Sequence, residues 1–293
     1  VIRALLSILL LLGIAACDSG QQARQAEGHQ AVTPALWEVR GPDGERGYLF
    51  ATIHQLWEPV KWRTAAVDEA LRASKLMVVE ASEITERGAV AAIFTELAHS
   101  GPEPALSLRV PPERRDALLG KLATAGLTEE QFAATETWAV ALTLAQAMSD
   151  TGSSENGIDR ALLAQTDLPV RDLEGARTQL LIFDTLPERE QRDMLALVVA
   201  HEDEEMDDRR LATAWARGDM DAIAAESRTG LLADPELRDA LLVRRNAAWV
   251  RKVEEMMRAG KRPFVAVGAA HLAGEDGLPA LLAARGWTVR RVQ

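Results

Sequence analysis

Apolar positions fall into two spacings along the chain. Near both ends they form short continuous runs bounded by turn residues, and between these they recur at helical intervals. Ala35–Arg40 and Gly47–Ile53 are apolar-rich and flank Gly41-Pro-Asp-Gly44, a strong turn sequence, so a β-hairpin is predicted. A helix follows over Arg63–Ala73, and Leu76-Met-Val-Val-Glu80 reads as a short buried strand. From about 85 to 258 the pattern is mainly helical. Pro111-Pro112 opens a helix with Leu118, Leu119 and Leu122 on one face, and Thr128-Glu-Glu-Gln131 is a capping-box sequence. Ile158–Gln165 predicts a further helix, Leu168–Glu174 a short strand, and helices follow over 187–206, 207–217, 219–227 and 235–258. The chain then returns to a strand at Phe264–Val267, a helix at Gly277–Arg285 and a strand at Thr288–Val292. The predicted fold is mixed α/β. Its central sheet is built from the N- and C-terminal segments, and the large helical middle packs on it as a cap.

The first residues change the picture of where this fold resides. Arg3 leads an apolar stretch, Ala4–Ile14, too short to span a bilayer but suited to a signal-peptide core, so residues 1–16 read as a signal peptide. Ile14-Ala-Ala-Cys17 resembles a bacterial lipobox, in which Cys17 takes lipid and becomes the N-terminus. The bland reading is an ordinary signal peptide cut after Ala16. Asp18 resembles the residue that retains some lipoproteins at the inner membrane, so an exported chain, lipid-anchored and facing the periplasm, is expected. Residues 17–33 are polar and read as a tether, with the folded domain over 34–293. Cys17 is the only cysteine, which removes disulfides, thiol nucleophiles and cysteine-rich zinc sites from the folded part. The net charge of −11 argues against nucleic acid or an anionic membrane surface as partner.

In open α/β sheets ligands gather at the carboxyl ends of strands. Three polar residues fall at such ends: His54, Glu80, and His271 beyond Phe264–Val267. Two imidazoles and a carboxylate form a ligand set for a catalytic divalent metal that keeps positions open for water. Gly268 lets the chain turn, and Ala269 and Ala270 leave room. Each histidine alone would more often be a capped or surface residue; it is their joint placement that argues for a site. Other features read as bland. His201-Glu-Asp-Glu-Glu205 lacks the second histidine of a zincin helix, and the acidic run 202–208 lacks the alternation and glycine of a calcium loop. Ser153-Ser154 has no nucleophile elbow, and His29 and His99 are poorly placed as ligands.

Several segments together resemble the TraB/GumN family, part of a wider group that includes the Tiki metalloproteases. They are Gly47–His54, Val78-Val-Glu80, Gly157-Ile-Asp159, Leu173-Glu174 with Gln179, Trp215 with Gly218-Asp219, Arg245-Asn246 with Trp249, and Val267–Pro279. The resemblance spans nearly all of Ala35–Val292. The group's signature is a pair of Gly-x-x-His motifs plus a glutamate. The second is complete as Gly268-Ala-Ala-His271, whereas the first reads Ala51-Thr-Ile-His54, with Ala where Gly is usual. Alanine cannot take a positive φ cheaply and adds a methyl group, which puts activity at issue if either matters there. The resemblance implies a metal-dependent hydrolase acting on a peptide or another small envelope substrate. His54 and His271 would be ligands, and Glu80 either the third ligand or the base, for zinc, manganese or cobalt. Arg245 could stabilise an oxyanion and Asn246 orient a ligand or cap a loop, with Glu174 a rival carboxylate. A non-catalytic protein that binds a peptide signal, or an accessory factor of exopolysaccharide assembly, is the alternative.

Overall fold

A computed structural model describes residues 30–148, 153–200 and 204–293. The signal-like stretch, Cys17, Asp18, His29, most of the tether, His201 and the first two residues of the acidic run (202–203) lie outside the described residues. The strands, in chain order, are β1 (Gln30–Ala31), β2 (Leu36–Arg40), β3 (Arg46–Thr52), β4 (Val60–Lys61), β5 (Leu76–Val79), β6 (Val170–Asp172), β7 (Pro263–Gly268) and β8 (Thr288–Arg291). Six of them form one sheet in the order β6-β5-β7-β3-β2-β8. The hairpin β2–β3 and the pair β2–β8 are antiparallel, whereas β3–β7, β7–β5 and β5–β6 are parallel. The predicted mixed sheet built from both ends of the chain is therefore present.

Position in the sheet explains the sequence of each strand. Every residue of β5 and β7 is buried, as is every residue of β3 after Arg46. Strands covered on both faces read as unbroken apolar runs rather than alternation. The edge strands β6 and β8 are mostly exposed or half-buried and carry arginines. Register also aligns the strand ends, with Thr52 opposite Gly268, Val79 opposite Ala266 and Asp172 opposite Val79. Four parallel strands thus finish along one edge of the sheet.

Two large hydrophobic cores result, with a small satellite of Ala81, Ile84, Val90 and Ala176 beside them. One lies around the sheet and includes Phe50, Phe264, Trp215, Trp249 and Met257. The other fills the helical cap, where Trp138, Leu118, Phe183, Leu195 and Leu241 pack together. The cap helices are Arg87–Leu97, Arg115–Thr124, Thr137–Ala147, Ala176–Asp184 and Glu188–Ala200. The short segment after β7 joins the cores, since Ala269 belongs to the first and Ala270 to the second.

Most expected elements are present, with three differences. The Thr128 capping box is real but opens a short 3₁₀ turn, Glu129–Phe132. The predicted helix 235–258 is interrupted by a π-helical segment, Asp239–Val243, just before Arg244–Arg258. Residues 30–33, assigned to the tether by polarity, are attached to the domain. Gln30–Ala31 pairs in parallel with Val60–Lys61, and the Thr33 N–H donates to the Ala216 carbonyl at 2.8 Å. Buried Val32 secures this segment. Among the described residues no helix is long and apolar enough to cross a membrane.

Candidate functional site

The aligned strand ends deliver four polar side chains to one place. β3 leads to His54, β5 to Glu80, β6 to Glu174 and β7 to His271. Gly268 lies among three of them. A Cβ built on it would stand 3.2 Å from His54 Nε2, 3.3 Å from Glu80 Oε1 and 3.9 Å from His271 Cδ2. The three residues singled out from the sequence therefore surround one hollow, which glycine keeps open.

His54 is fixed by the segment Gly157-Ile-Asp159. Gly157 passes so close that a Cβ there would lie 2.2 Å from the His54 carbonyl oxygen. The Ile158 N–H donates to the Ile53 carbonyl at 2.9 Å. Asp159, in the first turn of the helix Ile158–Gln165, holds His54 Nδ1 at 2.7 Å with Oδ2 and accepts from the Thr52 hydroxyl at 2.6 Å with Oδ1. Burial alone would push the imidazole toward neutrality. The Asp159 charge and hydrogen bond, with Glu80 nearby, outweigh burial and raise its pKa to about 9. The same pairing holds the Asp159 carboxyl below its usual range against its own burial.

His271 is its opposite. Buried, and facing the positive charges of Arg245 and His54, it is held well below the ordinary imidazole pKa and is neutral. Nδ1 lies 2.6 Å from Asn246 Oδ1, and Asn246 Nδ2 donates to the Asp276 carbonyl at 2.8 Å. The Asn246 carbonyl can only accept, so Nδ1 carries the proton and Nε2 is the acceptor. That Nε2 meets Arg245 Nη1 at 3.3 Å. Asn246 therefore both orients a ring and anchors a loop.

Arg245 spans the site from the cap side. Its Nη2 donates to Glu80 Oε2 at 3.0 Å and lies 3.0 Å from Glu174 Oε2, and its Nε donates to Glu174 Oε2 at 3.1 Å. Glu80 is further held by the Gly268 N–H at 2.8 Å and by Gln179 Nε2 at 3.2 Å. One turn along the helix, Trp249 lies under the guanidinium at 4.7 Å, against the His271 ring at 4.4 Å, and donates its indole N–H to Glu174 at 2.8 Å. The structure brings His54, Glu80, Glu174, Arg245, Asn246 and His271 together at the strand ends. Asp159, Gln179 and Thr52 were given no role by sequence reasoning. Asp159 and Gln179 belong to the segments that resemble the family, but nothing local marks a carboxylate whose partner is 105 residues away. His99 lies elsewhere, exposed, with Nδ1 3.0 Å from the Thr95 carbonyl.

The residue types suit a divalent cation in kind, provided His54 gives up the proton that Asp159 stabilises. Each histidine has its Nδ1 engaged by an oxygen and directs Nε2 inward, the outer support that metal-bound imidazoles use. Among the described residues, no hydrogen bond engages His54 Nε2. In spacing the ring is wide. Among the described residues, only Glu190, Asp234 and Glu236 bring three such donor atoms within 4.8 Å of one another. At the strand ends Arg245 lies across Glu80 and His271, so a cation held by both requires its guanidinium to shift. Ala51 presents no obstacle of torsion. It is buried in extended β3 opposite Val267, its carbonyl accepts the Trp215 indole N–H at 2.9 Å, and its φ is not positive.

A mixed sheet that gathers histidines and glutamates at its parallel strand ends, beneath an arginine from the helix Arg244–Arg258, defines an α/β protein with a polar site in the seam between two cores. The chain belongs to the TraB/PrgY/gumN family, whose profile matches residues 35–291. It is similar to the uncharacterized proteins YbaP of Shigella flexneri and of Escherichia coli (strain K12). Each is 27% identical over 262 residues, covering 87% of this chain and 94% of the relative. No solved structure matches.

Proposed function

We propose that this chain is a metal-dependent hydrolase that cleaves a peptide or another small substrate at the cell envelope. The observation that carries the reading is the convergence of His54, Glu80 and His271 on the hollow at Gly268, each held by a buried partner. A divalent ion, zinc, manganese or cobalt, would be held by His54 and His271, with Glu80 as third ligand or base; it supplies Lewis acidity toward a substrate carbonyl and toward water. The rest of the work falls to the chain itself. Asp159 and Asn246 set the two ring orientations. Glu80, when not a ligand, accepts the proton of the attacking water. Arg245, freed from part of its carboxylate pairing, donates to the oxyanion that develops on the substrate. Export and anchoring through a lipid on Cys17 belong to the same proposal, and the intact mass of membrane-extracted protein tests them.

The purified chain should take up one divalent ion and hydrolyse a peptide mixture. A His54→Ala/His271→Ala double substitution should lose both properties. Absence of zinc, manganese or cobalt uptake, together with no thermal stabilisation by any of them, would sink the reading. One observation favours a second reading, a non-catalytic pocket for a peptide signal: Arg245 already pairs with both Glu80 and Glu174, so the ring is partly neutralised without a metal. Metal-independent peptide binding without turnover would establish that alternative.

A further inference from the structure

On the cap, away from the strand ends, lies a second cluster of acidic groups. Glu190 stands in the first turn of the helix Glu188–Ala200, and its side chain is only 5% exposed. Its Oε2 is buried and has no hydrogen-bond partner among the described residues. Asp234 caps the helix Pro235–Arg238, its Oδ1 accepting the Glu236 and Leu237 N–H groups at 3.0 Å each. Glu236 is exposed beside it. One carboxylate oxygen from each of the three lies within 4.8 Å of the others. The positive charge at hand is Arg189, which pairs with Glu190 and approaches Asp193 at 3.6 Å, but its side chain is 71% exposed. Burial, with Asp234, Glu236 and Asp193 around it, raises the Glu190 pKa in spite of Arg189.

Glu190 thus keeps one buried oxygen without a donor while its carboxylate stands within 4.8 Å of two others, an arrangement that is costly unless a cation completes it. We propose that Glu190, Asp234 and Glu236 form a calcium site. Three carboxylates of unequal exposure, held on two helix starts, suit the irregular oxygen shell of calcium. Magnesium demands near-octahedral geometry and usually takes only one or two carboxylates with several waters. Asp234 opens the helical stretch that continues to Arg258 and carries Arg245 and Asn246. A bound ion would therefore tie the start of that stretch to the cap helix. This inference does not depend on hydrolysis at the strand ends.

The test uses the full chain stripped with EDTA. Calorimetric titration should find one calcium per chain, and calcium at ~100-fold above its Kd should raise Tm by several degrees, with a smaller shift from equal magnesium. Glu236→Gln should fold as the parent does in EDTA but bind calcium at least ~10-fold more weakly, having lost one charged ligand. Glu190→Gln should lose the calcium response while being no less stable than the parent in EDTA. The His54→Ala/His271→Ala chain should keep the response, which separates the two sites. Absence of calcium binding to the parent, an undiminished response in both Glu190→Gln and Glu236→Gln, or an equal magnesium shift would overturn the proposal.

Discussion

Gly268 is the position on which the candidate site turns. Its backbone has an ordinary φ of −51°, so the need for glycine is one of space. A methyl group there would press on His54 Nε2 and Glu80 Oε1 at 3.2 and 3.3 Å. Gly268→Ala should therefore cost only ~1 kcal/mol of stability, since both neighbours are side chains that can yield slightly. It should nevertheless displace the His54 and His271 ring resonances in NMR spectra and remove divalent-ion uptake. Unchanged ring resonances would show that the hollow is not shared. Gly157 contrasts with it, because the atom its Cβ would meet at 2.2 Å is the His54 backbone oxygen. Backbone cannot rotate aside, so Gly157→Ala should destabilise by about 2–3 kcal/mol in denaturant titration.

Among the elements, the helix Arg244–Arg258 does most to join the parts. Its first turn supplies Arg245 and Asn246 to the site, its middle supplies Trp249, and its last turns hold the C-terminal α/β unit. There Glu254, 3% exposed, accepts from the Trp287 indole at 2.7 Å and pairs with Arg285 at 2.7 Å. Hydrogen bonding from Arg285, aided by Trp287 and the charges of Arg285 and Arg258, outweighs burial and holds the Glu254 carboxyl below its reference value of 4.5. A depressed carboxylate pKa contributes stability that is present above the unfolded value and is lost as pH falls through the folded one. Stability of the parent should thus decline below about pH 4.5 partly through this group. Glu254→Gln should flatten that acid limb and cost ~1 kcal/mol at neutral pH, where exposed arginines are the partners. Urea titrations at a series of pH values measure both effects; an unaltered acid limb would remove Glu254 as its source.

At the level of the whole molecule, the site lies in a seam. Leu241 belongs to the cap core, while its carbonyl receives Arg245 Nη1 at 3.0 Å. Trp249, below the same guanidinium, belongs to the sheet core. Damage to the cap should therefore reach the site without touching it. Leu241→Ala should cost 2–5 kcal/mol, as expected for a leucine 1% exposed. It should also loosen Arg245, read as faster amide exchange along 244–249 than an equally destabilising change in β8 produces. Equal exchange in the two variants would show that the seam does not transmit packing.

Periodicity and turn chemistry were enough to predict the hairpin, the strands at Leu76 and Phe264, the closing helix and the helical middle. Those features are local: an unbroken apolar run or a 3.6-residue spacing states its own burial. The placement of His54, Glu80 and His271 at strand ends was legible for the same reason, because each follows directly on such a run. The sequence could not supply the parallel register that brings these ends level, nor the pairing of His54 with Asp159. It also gave no sign that the two imidazoles would differ in charge. That difference comes from the packed surroundings, with Asp159 stabilising the charged form of one ring while burial and the charge of Arg245 disfavour it in the other. The polar residue types and their positions were written locally, whereas their partners and charge states are long-range properties that only the packed sheet and cap decide.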